Sequence, residues 1–125
     1  MSGSAYARGN DFERRVKAYL EERGFTCWQT RGSKSVVDLF AWPRSGRCWF
    51  VQVKGGATGM SHESWNELYA LARRLGALPM LVDRDARALR FRMLAEPHNE
   101  RSRSWLAAPI RLNPDGSWQH GFAQA

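Results

Sequence analysis

The chain has 125 residues, 43% of them hydrophobic and 25% charged, which suits one domain with a single core. Its 19 Lys and Arg against 12 Asp and Glu give a formal net charge of +7. This favours nucleic acid as the partner, with a solvated basic surface as the alternative. No apolar run reaches the roughly 20 residues that span a bilayer, and the first ten residues lack the apolar stretch of a signal peptide. We therefore expect a cytoplasmic protein, cellular or phage-encoded.

The first predicted element is a helix over residues 10–25, "NDFERRVKAYLEERGF". Asn10 suits its N-cap, with Glu13 three residues later as in a capping box. Gly24 suits the end of the helix. Its apolar residues recur at helical spacing and predict the buried face: Phe12, Val16, Tyr19 and Leu20.

Three predicted strands follow, separated by turn residues. The second stops at Pro43 and leads into the third through the short turn "RSG", so we expect these two strands to pair antiparallel. The first and third strands carry the only two cysteines, Cys27 and Cys48, whose spacing fits neither a disulfide framework nor a zinc site. We expect both to be small buried side chains. The three predicted strands are residues 25–30, 36–42 and 47–54.

A Gly-rich loop, residues 55–59, leads to a second predicted helix, capped by Ser61 and ended by Gly76. This helix crosses to further strands of the sheet. Its apolar face is predicted to comprise Trp65, Leu68, Ala72 and Leu75.

Two more strands, residues 77–83 and 88–94, are predicted to be joined by a turn at "RDAR". After Glu96 the pattern weakens: residues 97–105 are typical of a loop, a turn is expected at Asp115-Gly116, and the last residues are expected to be frayed. The predicted order is α-β-β-β-α-β-β, an α/β fold in which one mixed sheet is flanked by helices. We expect one domain over residues 1–125, with its core in about 8–94 and an extension over 95–125.

The tryptophans are expected to serve structure. We expect the three tryptophans in the predicted strands and the second helix to make core or dimer contacts. We expect the two near the C-terminus to cover a sheet edge or to contact a partner subunit. In chain order, these tryptophans are Trp42, Trp49, Trp65, Trp105 and Trp118.

The residues that carry chemistry lie in the second and third strands. Because side chains alternate along a strand, Gln52 and Lys54 share one face of the third strand. Asp38 interrupts the apolar second strand, where an unpaired buried carboxylate is costly. Antiparallel pairing lets Asp38 and Gln52 converge, and their oxygens are donors that Mg²⁺ prefers. A neighbouring lysine can stabilise charge developing on a phosphate, so the set suits metal-assisted phosphodiester hydrolysis.

Each of these residues also has a structural interpretation. Asp38 could form a cross-strand ion pair with Lys54, Gln52 could face solvent, and Glu13 could act only in its capping box. The combined pattern is more specific than its parts: a helical Glu, then "RGSKS", then Asp in an apolar strand, then "QVK" in the next strand.

The order "FERRVKAYLEERGF…RGSKSVVDLF…FVQVK" closely resembles the archaeal-type Holliday junction resolvases of the PD-(D/E)xK nuclease superfamily, over roughly residues 8–94. The resemblance implies a restriction-endonuclease-like fold and a metal-dependent endonuclease that acts as a homodimer on four-way DNA junctions. By this resemblance Glu13, Asp38 and Lys54 match catalytic residues. Ser33 in the loop matches a residue that helps to position the scissile phosphate.

One position departs from the family pattern. The second motif should read ExK, and this chain has Gln52, which removes one negative charge from the metal site. We expect Glu13, Asp38 and Gln52 to hold Mg²⁺, which Mn²⁺ can replace. The residues expected to contact DNA are Arg8, Arg14, Arg31 and Lys34.

Two rival functions stay open at this point. The first is a restriction-type or repair-type nuclease that acts on other DNA structures. The second is a junction-binding or DNA-binding module that lost catalysis through Gln52. The arginines around the last predicted hairpin are either solvated surface or distal DNA contacts: Arg84, Arg87, Arg90 and Arg92.

Overall fold

A computed structural model describes residues 5–30, 35–55, 60–97 and 107–120. The elements are α1 (Ala5–Glu22), β1 (Thr26–Gln29), β2 (Leu39–Trp42), β3 (Trp49–Lys54), α2 (His62–Leu75), β4 (Leu78–Asp85), β5 (Ala88–Leu94), β6 (Ala107–Leu112) and β7 (Trp118–His120). The seven strands form one sheet in chain order. Neighbouring strands are antiparallel except β3 and β4, which are parallel and connected through α2. The described helices include none that is long and apolar enough to cross a membrane.

The predicted order is confirmed from α1 to β5, and the chain then adds β6 and β7 to the same sheet. The sequence pattern indicated neither of these two strands, whereas the predicted turn at Asp115-Gly116 is confirmed and joins them. Pro109 lies inside β6, where it cannot donate a ladder hydrogen bond, and this argues against a strand when the sequence is read alone. Pairing with β5 on one side and β7 on the other overrides that local signal.

Helix α1 begins at Ala5, so the predicted start at Asn10 is wrong. Residues 5–8 are two Ala, a Tyr and an Arg, which tolerate a helix well, and the cost of Gly9, about 1 kcal/mol, does not stop the helix from extending by more than a turn. Glu13 therefore lies in the helix interior, which excludes its capping-box role. The end of the helix is as predicted, since Gly24 follows it in the left-handed region at φ 89°.

Helix α2 has the predicted caps. The Ser61 hydroxyl accepts a hydrogen bond from the Ser64 N–H at 3.1 Å, and Gly76 is left-handed at φ 72°. The predicted apolar face is buried except at Leu75, which is 60% exposed. That part of the prediction is wrong because the last turn carries Leu75 away from the sheet.

The sheet has an apolar layer on each face. Along β3, Val51 and Val53 pack against α1, whereas Phe50 packs against α2. Alternation places Gln52 and Lys54 on one face, as predicted, and that face is the α2 side. The α1-side core includes Phe12, Val16, Leu20, Trp49, Val51, Val53, Met80, Phe91 and Ile110, and the α2-side core includes Val36, Val37, Phe50, Trp65, Leu68, Ala72, Leu81 and Leu94.

The tryptophans divide between core and surface. Trp49 and Trp65 are buried in the core, whereas Trp42 is 45% exposed, so of its two expected places the core is excluded and a dimer contact stays a prediction. Trp118 on β7 packs edge-on against Trp49, with ring centroids 5.9 Å apart. The edge strand β7 thus reaches the α1-side core. Trp105 lies outside the described residues.

The two cysteines are free and only partly buried, less so than expected. Burial is the largest cause that raises the pKa of the Cys27 thiol, to about 12. A thiol with so high a pKa is almost wholly protonated at neutral pH and is a poor nucleophile or metal ligand.

Candidate functional site

Asp38 lies in a bend immediately before β2. In space it lies between the end of β1 and the middle of β3. The prediction that it sits inside a strand over residues 36–42 is wrong, because β2 begins at Leu39. The backbone of Val37 forms hydrogen bonds with side chains and not with neighbouring strands. Its N–H donates to the Ser35 hydroxyl at 3.0 Å, and its C=O accepts from the Thr30 hydroxyl at 2.9 Å. These local hydrogen bonds keep Val37 out of the sheet, so β2 begins only after it, at Leu39.

The backbone of Asp38 is nevertheless held on both sides. Its N–H donates to the Val51 carbonyl at 2.8 Å, and its C=O accepts from the Thr30 N–H at 3.0 Å. With main-chain contacts to strands on each side, the side chain projects from a fixed base. Such fixation is what a catalytic or metal-binding carboxylate requires.

The predicted convergence of Asp38 and Gln52 is present. The Gln52 Nε2 donates to Asp38 Oδ2 at 2.8 Å, and the Val53 N–H donates to the same oxygen at 2.8 Å. Gln52 is only 9% exposed, so the alternative of a solvent-facing residue is wrong. Among the described residues, Asp38 Oδ1 accepts no hydrogen bond, which leaves that oxygen for a ligand.

Glu13 approaches this pair from α1. It follows the buried Phe12, and its Oε1 accepts from Gln29 Nε2 on β1 at a long 3.5 Å. Burial raises the pKa of Glu13, and the Asp38 charge raises it further, while the Gln29 hydrogen bond lowers it. The effect of the Asp38 charge on the pKa of Glu13 indicates that the two carboxylates lie near each other.

Burial also raises the pKa of Asp38, although the Val53 N–H and the Lys54 charge act in the opposite direction. Asp38 and Lys54 form no ion pair within the 4.0 Å limit, so the alternative of a direct salt bridge is wrong. Lys54 acts on Asp38 at longer range. The Lys54 ammonium is thus not held in direct contact with the Asp38 carboxylate.

The donor set fits a hard divalent cation. Two half-buried carboxylates that repel each other are relieved by a bound cation, and the Gln52 carbonyl oxygen adds a neutral donor. The described residues contain no group of three or more His, Cys, Asp or Glu side chains that could hold a metal. The third position is an amide, so the site carries less negative charge than three carboxylates would provide.

The other expected site residues are placed less fully. Arg31, Ser33 and Lys34 lie outside the described residues, and of Arg8 only the backbone in α1 is described. The Arg14 side chain is 68% exposed, 3.9 Å from Asp11, and so it is accessible to a polyanion. The roles of these residues stay predictions.

Gln29 is a member of the cluster that the sequence analysis missed. The available signal was its place on β1, two residues after Cys27, which packs on the α1-side core. Gln29 is the last residue of β1 on the α1-side face, so its side chain lies at the end of the sheet and contacts Glu13.

Comparison with known proteins agrees with this geometry. The family model for the archaeal Holliday junction resolvase (hjc) matches residues 4–105. Among solved structures, the chain is similar to Archaeoglobus fulgidus Hjc, a Holliday junction resolvase from an archaeal hyperthermophile, with a TM-score of 0.58 and 25% identity. That match covers 67% of this chain and 70% of the other. A comparison with curated proteins gives no match. The chain belongs to the archaeal Holliday junction resolvase family and has that family's restriction-endonuclease-like α/β fold.

Proposed function

We propose that the protein is a metal-dependent endonuclease that resolves four-way DNA junctions by paired, symmetric nicks. The observation that carries this proposal is the convergence of Asp38, Gln52 and Glu13 at one end of the sheet, beside Lys54. Family membership supports the substrate, and the net charge of +7 supports a polyanionic partner.

In this proposal Glu13, Asp38 and Gln52 hold Mg²⁺, or Mn²⁺ in its place. Asp38 uses Oδ1, since Oδ2 is occupied by two hydrogen bonds, and Gln52 uses its carbonyl oxygen, since its nitrogen donates to Asp38. The metal would supply Lewis-acid activation of water and neutralise charge on the phosphate.

The chain's own residues bind and orient the DNA. Lys54 stabilises the charge that develops on the phosphate oxygens. A water oxygen forms a bond to phosphorus, the P–O bond to the leaving sugar oxygen breaks, and that oxygen gains a proton. Ser33 and Arg31 position the scissile phosphate. The residues proposed to follow the DNA backbone are Arg8, Arg14 and Lys34.

We propose a homodimer as the active form. One chain carries one cluster of this kind among its described residues, and paired nicks in opposing strands need two. A two-fold dimer matches the symmetry of a four-way junction. Analytical ultracentrifugation with and without junction DNA tests this state. A monomer that resolves junctions fully would contradict it.

One observation favours a second candidate function. The amide at position 52 carries no negative charge, where the family pattern has a carboxylate, and it donates a hydrogen bond to Asp38 Oδ2. A module that binds branched DNA without cutting it is compatible with this arrangement. It predicts salt-sensitive junction binding with no product in Mg²⁺ or Mn²⁺.

Cleavage of an immobile four-way junction by wild type and by Asp38→Asn tests the proposal. The variant keeps an acceptor for the Val53 N–H but loses the charge, so cleavage should fall at least about 100-fold with binding retained. Asp11→Asn is the matched control, since that side chain is 76% exposed, and it should cleave normally. Normal cleavage by Asp38→Asn would show that the metal site is wrongly assigned. Linear duplex of equal length, cut at the same rate as the junction, would instead support a restriction-type or repair-type nuclease.

A further inference from the structure

Two arginines on β5 share one carboxylate on β4. Arg90 binds Asp83 through two parallel hydrogen bonds, Nε to Oδ1 and Nη2 to Oδ2, both 2.8 Å. Arg92 Nη2 also donates to Asp83 Oδ2 at 2.8 Å. The bidentate geometry fixes the plane of the Arg90 guanidinium. We call Asp83, Arg90 and Arg92 the arginine clamp.

The arginine clamp lies beside the candidate active site. Asp83 pairs with Lys54 across the parallel strands β3 and β4, and Arg90 pairs with Asp83 across β4 and β5. Paired residues in a sheet share a face, so Lys54, Asp83 and Arg90 form a row across three strands on the α2 side. Two strand spacings, about 10 Å, separate the backbones at the ends of this row.

The arginine clamp keeps an excess of positive charge. Burial opposes ionisation of Asp83, but the hydrogen bonds and charges of Arg90 and Arg92 outweigh it and lower the pKa of Asp83. One carboxylate thus faces two guanidiniums, and the clamp has a net charge of about +1 at neutral pH. Lys54 adds another positive charge to the row.

Exposure separates the roles of the three side chains. Asp83 is 16% exposed, Arg92 24% and Arg90 47%, so the carboxylate lies innermost and Arg90 reaches solvent. The Nε of Arg92 is buried and has no hydrogen-bond partner among the described residues. The guanidinium that suits a phosphate is that of Arg90, which is held in a fixed plane by Asp83 and reaches solvent.

We propose that Arg90 and Arg92, held by Asp83, bind a backbone phosphate of the DNA substrate next to the phosphate that faces Lys54. This rests on the proposed function and adds a second anchoring point to it. Asp83 is a positioning residue: it does not touch DNA but orders two side chains that do. The alternative is that the three residues form only ion pairs that stabilise the β4–β5 hairpin.

The test measures the affinity of full-length protein for a fluorescent four-way junction in EDTA, as a function of salt. Arg90→Gln and Arg92→Gln should each weaken binding about 5- to 20-fold and reduce the salt slope by about 1. Arg74→Gln is the matched control. It makes the same charge change on an exposed residue in the last turn of α2, which lies toward the start of β4, away from Lys54. It should change affinity less than about twofold.

Asp83→Asn separates ordering from charge. If charge alone mattered, removal of a carboxylate near DNA would strengthen binding; the proposal expects no gain, because the arginines lose their fixed orientation. Arg90→Lys keeps the charge and provides a second variant if Arg90→Gln unfolds. It should lose part of the affinity, because an ammonium cannot replace the fork.

Three results would overturn the inference. Arg90→Gln and Arg74→Gln could show equal affinity and equal salt slope, or the Arg90 variants could differ from wild type only by a lower melting temperature. The third such result is stronger binding by Asp83→Asn. Failure of the proposed function looks different. In that case the wild type would neither prefer the junction over linear duplex nor cleave it in Mg²⁺.

Discussion

The side-chain amide of Gln52 donates a hydrogen bond of 2.8 Å to Oδ2 of Asp38. An amide at this position is therefore not a passive substitute for a carboxylate. It compensates part of the Asp38 charge and leaves Oδ1 for a cation. The same contact explains how the chain tolerates a half-buried aspartate that forms no ion pair among the described residues.

The first prediction concerns Gln52→Glu. The variant replaces a hydrogen-bond donor by a charge that repels Asp38, so the metal-free protein should lose about 1–3 kcal/mol of unfolding free energy. Mg²⁺ should then raise its melting temperature more than that of the wild type. Gln119→Glu makes the same change on exposed strand β7 and should be nearly neutral. A metal-free Gln52→Glu protein as stable as wild type would refute the role given to this hydrogen bond.

The second prediction concerns Gly55, at the end of β3. A Cβ there would lie 2.9 Å from Phe12 Cδ2 and 3.1 Å from its Cγ. Because Glu13 follows Phe12, Gly55→Ala should displace the carboxylate, cost about 1–3 kcal/mol and slow cleavage. Chemical denaturation and junction cleavage measure the two effects.

Phe12→Leu provides the internal control for Gly55→Ala. The smaller side chain should relieve the overlap, so the double variant should be more stable than the two single effects predict. If the stability changes of the two single variants simply add in the double variant, the close contact between Gly55 and Phe12 does not limit the position of α1.

The third prediction is a pH dependence from Glu13. Its pKa is raised in the folded protein, so the folded state binds a proton more tightly than the unfolded state does. Without metal, stability should fall as pH rises from about 4.5 through the raised pKa, and then level off. Glu13→Gln should remove this component and be the more stable protein at pH 7. The two should be alike at pH 4.

Thermal melts in EDTA across this pH range measure the effect of Glu13→Gln. Glu67→Gln, on an exposed position of α2, is the control for loss of a carboxylate. Mg²⁺ at pH 7 should stabilise wild type and the Glu67 variant more than the Glu13 variant. An unchanged pH profile in Glu13→Gln would contradict the raised pKa of Glu13, which burial and the Asp38 charge cause.

The fourth prediction tests the C-terminal strands. Trp118 packs against the buried Trp49, so Trp118→Ala should cost about 2–4 kcal/mol in urea denaturation. Trp28→Ala is the matched control, because Trp28 is 69% exposed, and it should cost less than about 1 kcal/mol. Equal costs would mean that β7 contributes nothing to the core.

Local pattern was sufficient for most of the secondary structure. Helical spacing identified the buried residues of α1 and α2, and alternation along "FVQVK" assigned Gln52 and Lys54 to one face. The short turn after Pro43 implied the antiparallel pairing that brings Asp38 to Gln52. These features depend on residues close together in the chain, so their physical causes are visible in the sequence.

Some local errors also have identifiable causes. The start of α1 carries no strong signal before Asn10, and side-chain hydrogen bonds with Thr30 and Ser35 keep Val37 out of β2, which begins only at Leu39. Pro109 concealed β6, whose pairing is decided by β5 and β7. In each case a competing contact overrode the local propensity.

By itself the sequence determined the order of elements through β5, the Asp38, Gln52 and Lys54 motif and the resemblance that the family match confirms. Only the tertiary structure decided that Gln29 joins Glu13, that Gln52 donates to Asp38, and that Asp83 holds two arginines beside Lys54. The reason is physical. Periodicity arises between neighbours in the chain, whereas these contacts depend on how α1 packs on the sheet and on the register of strands that meet only after folding.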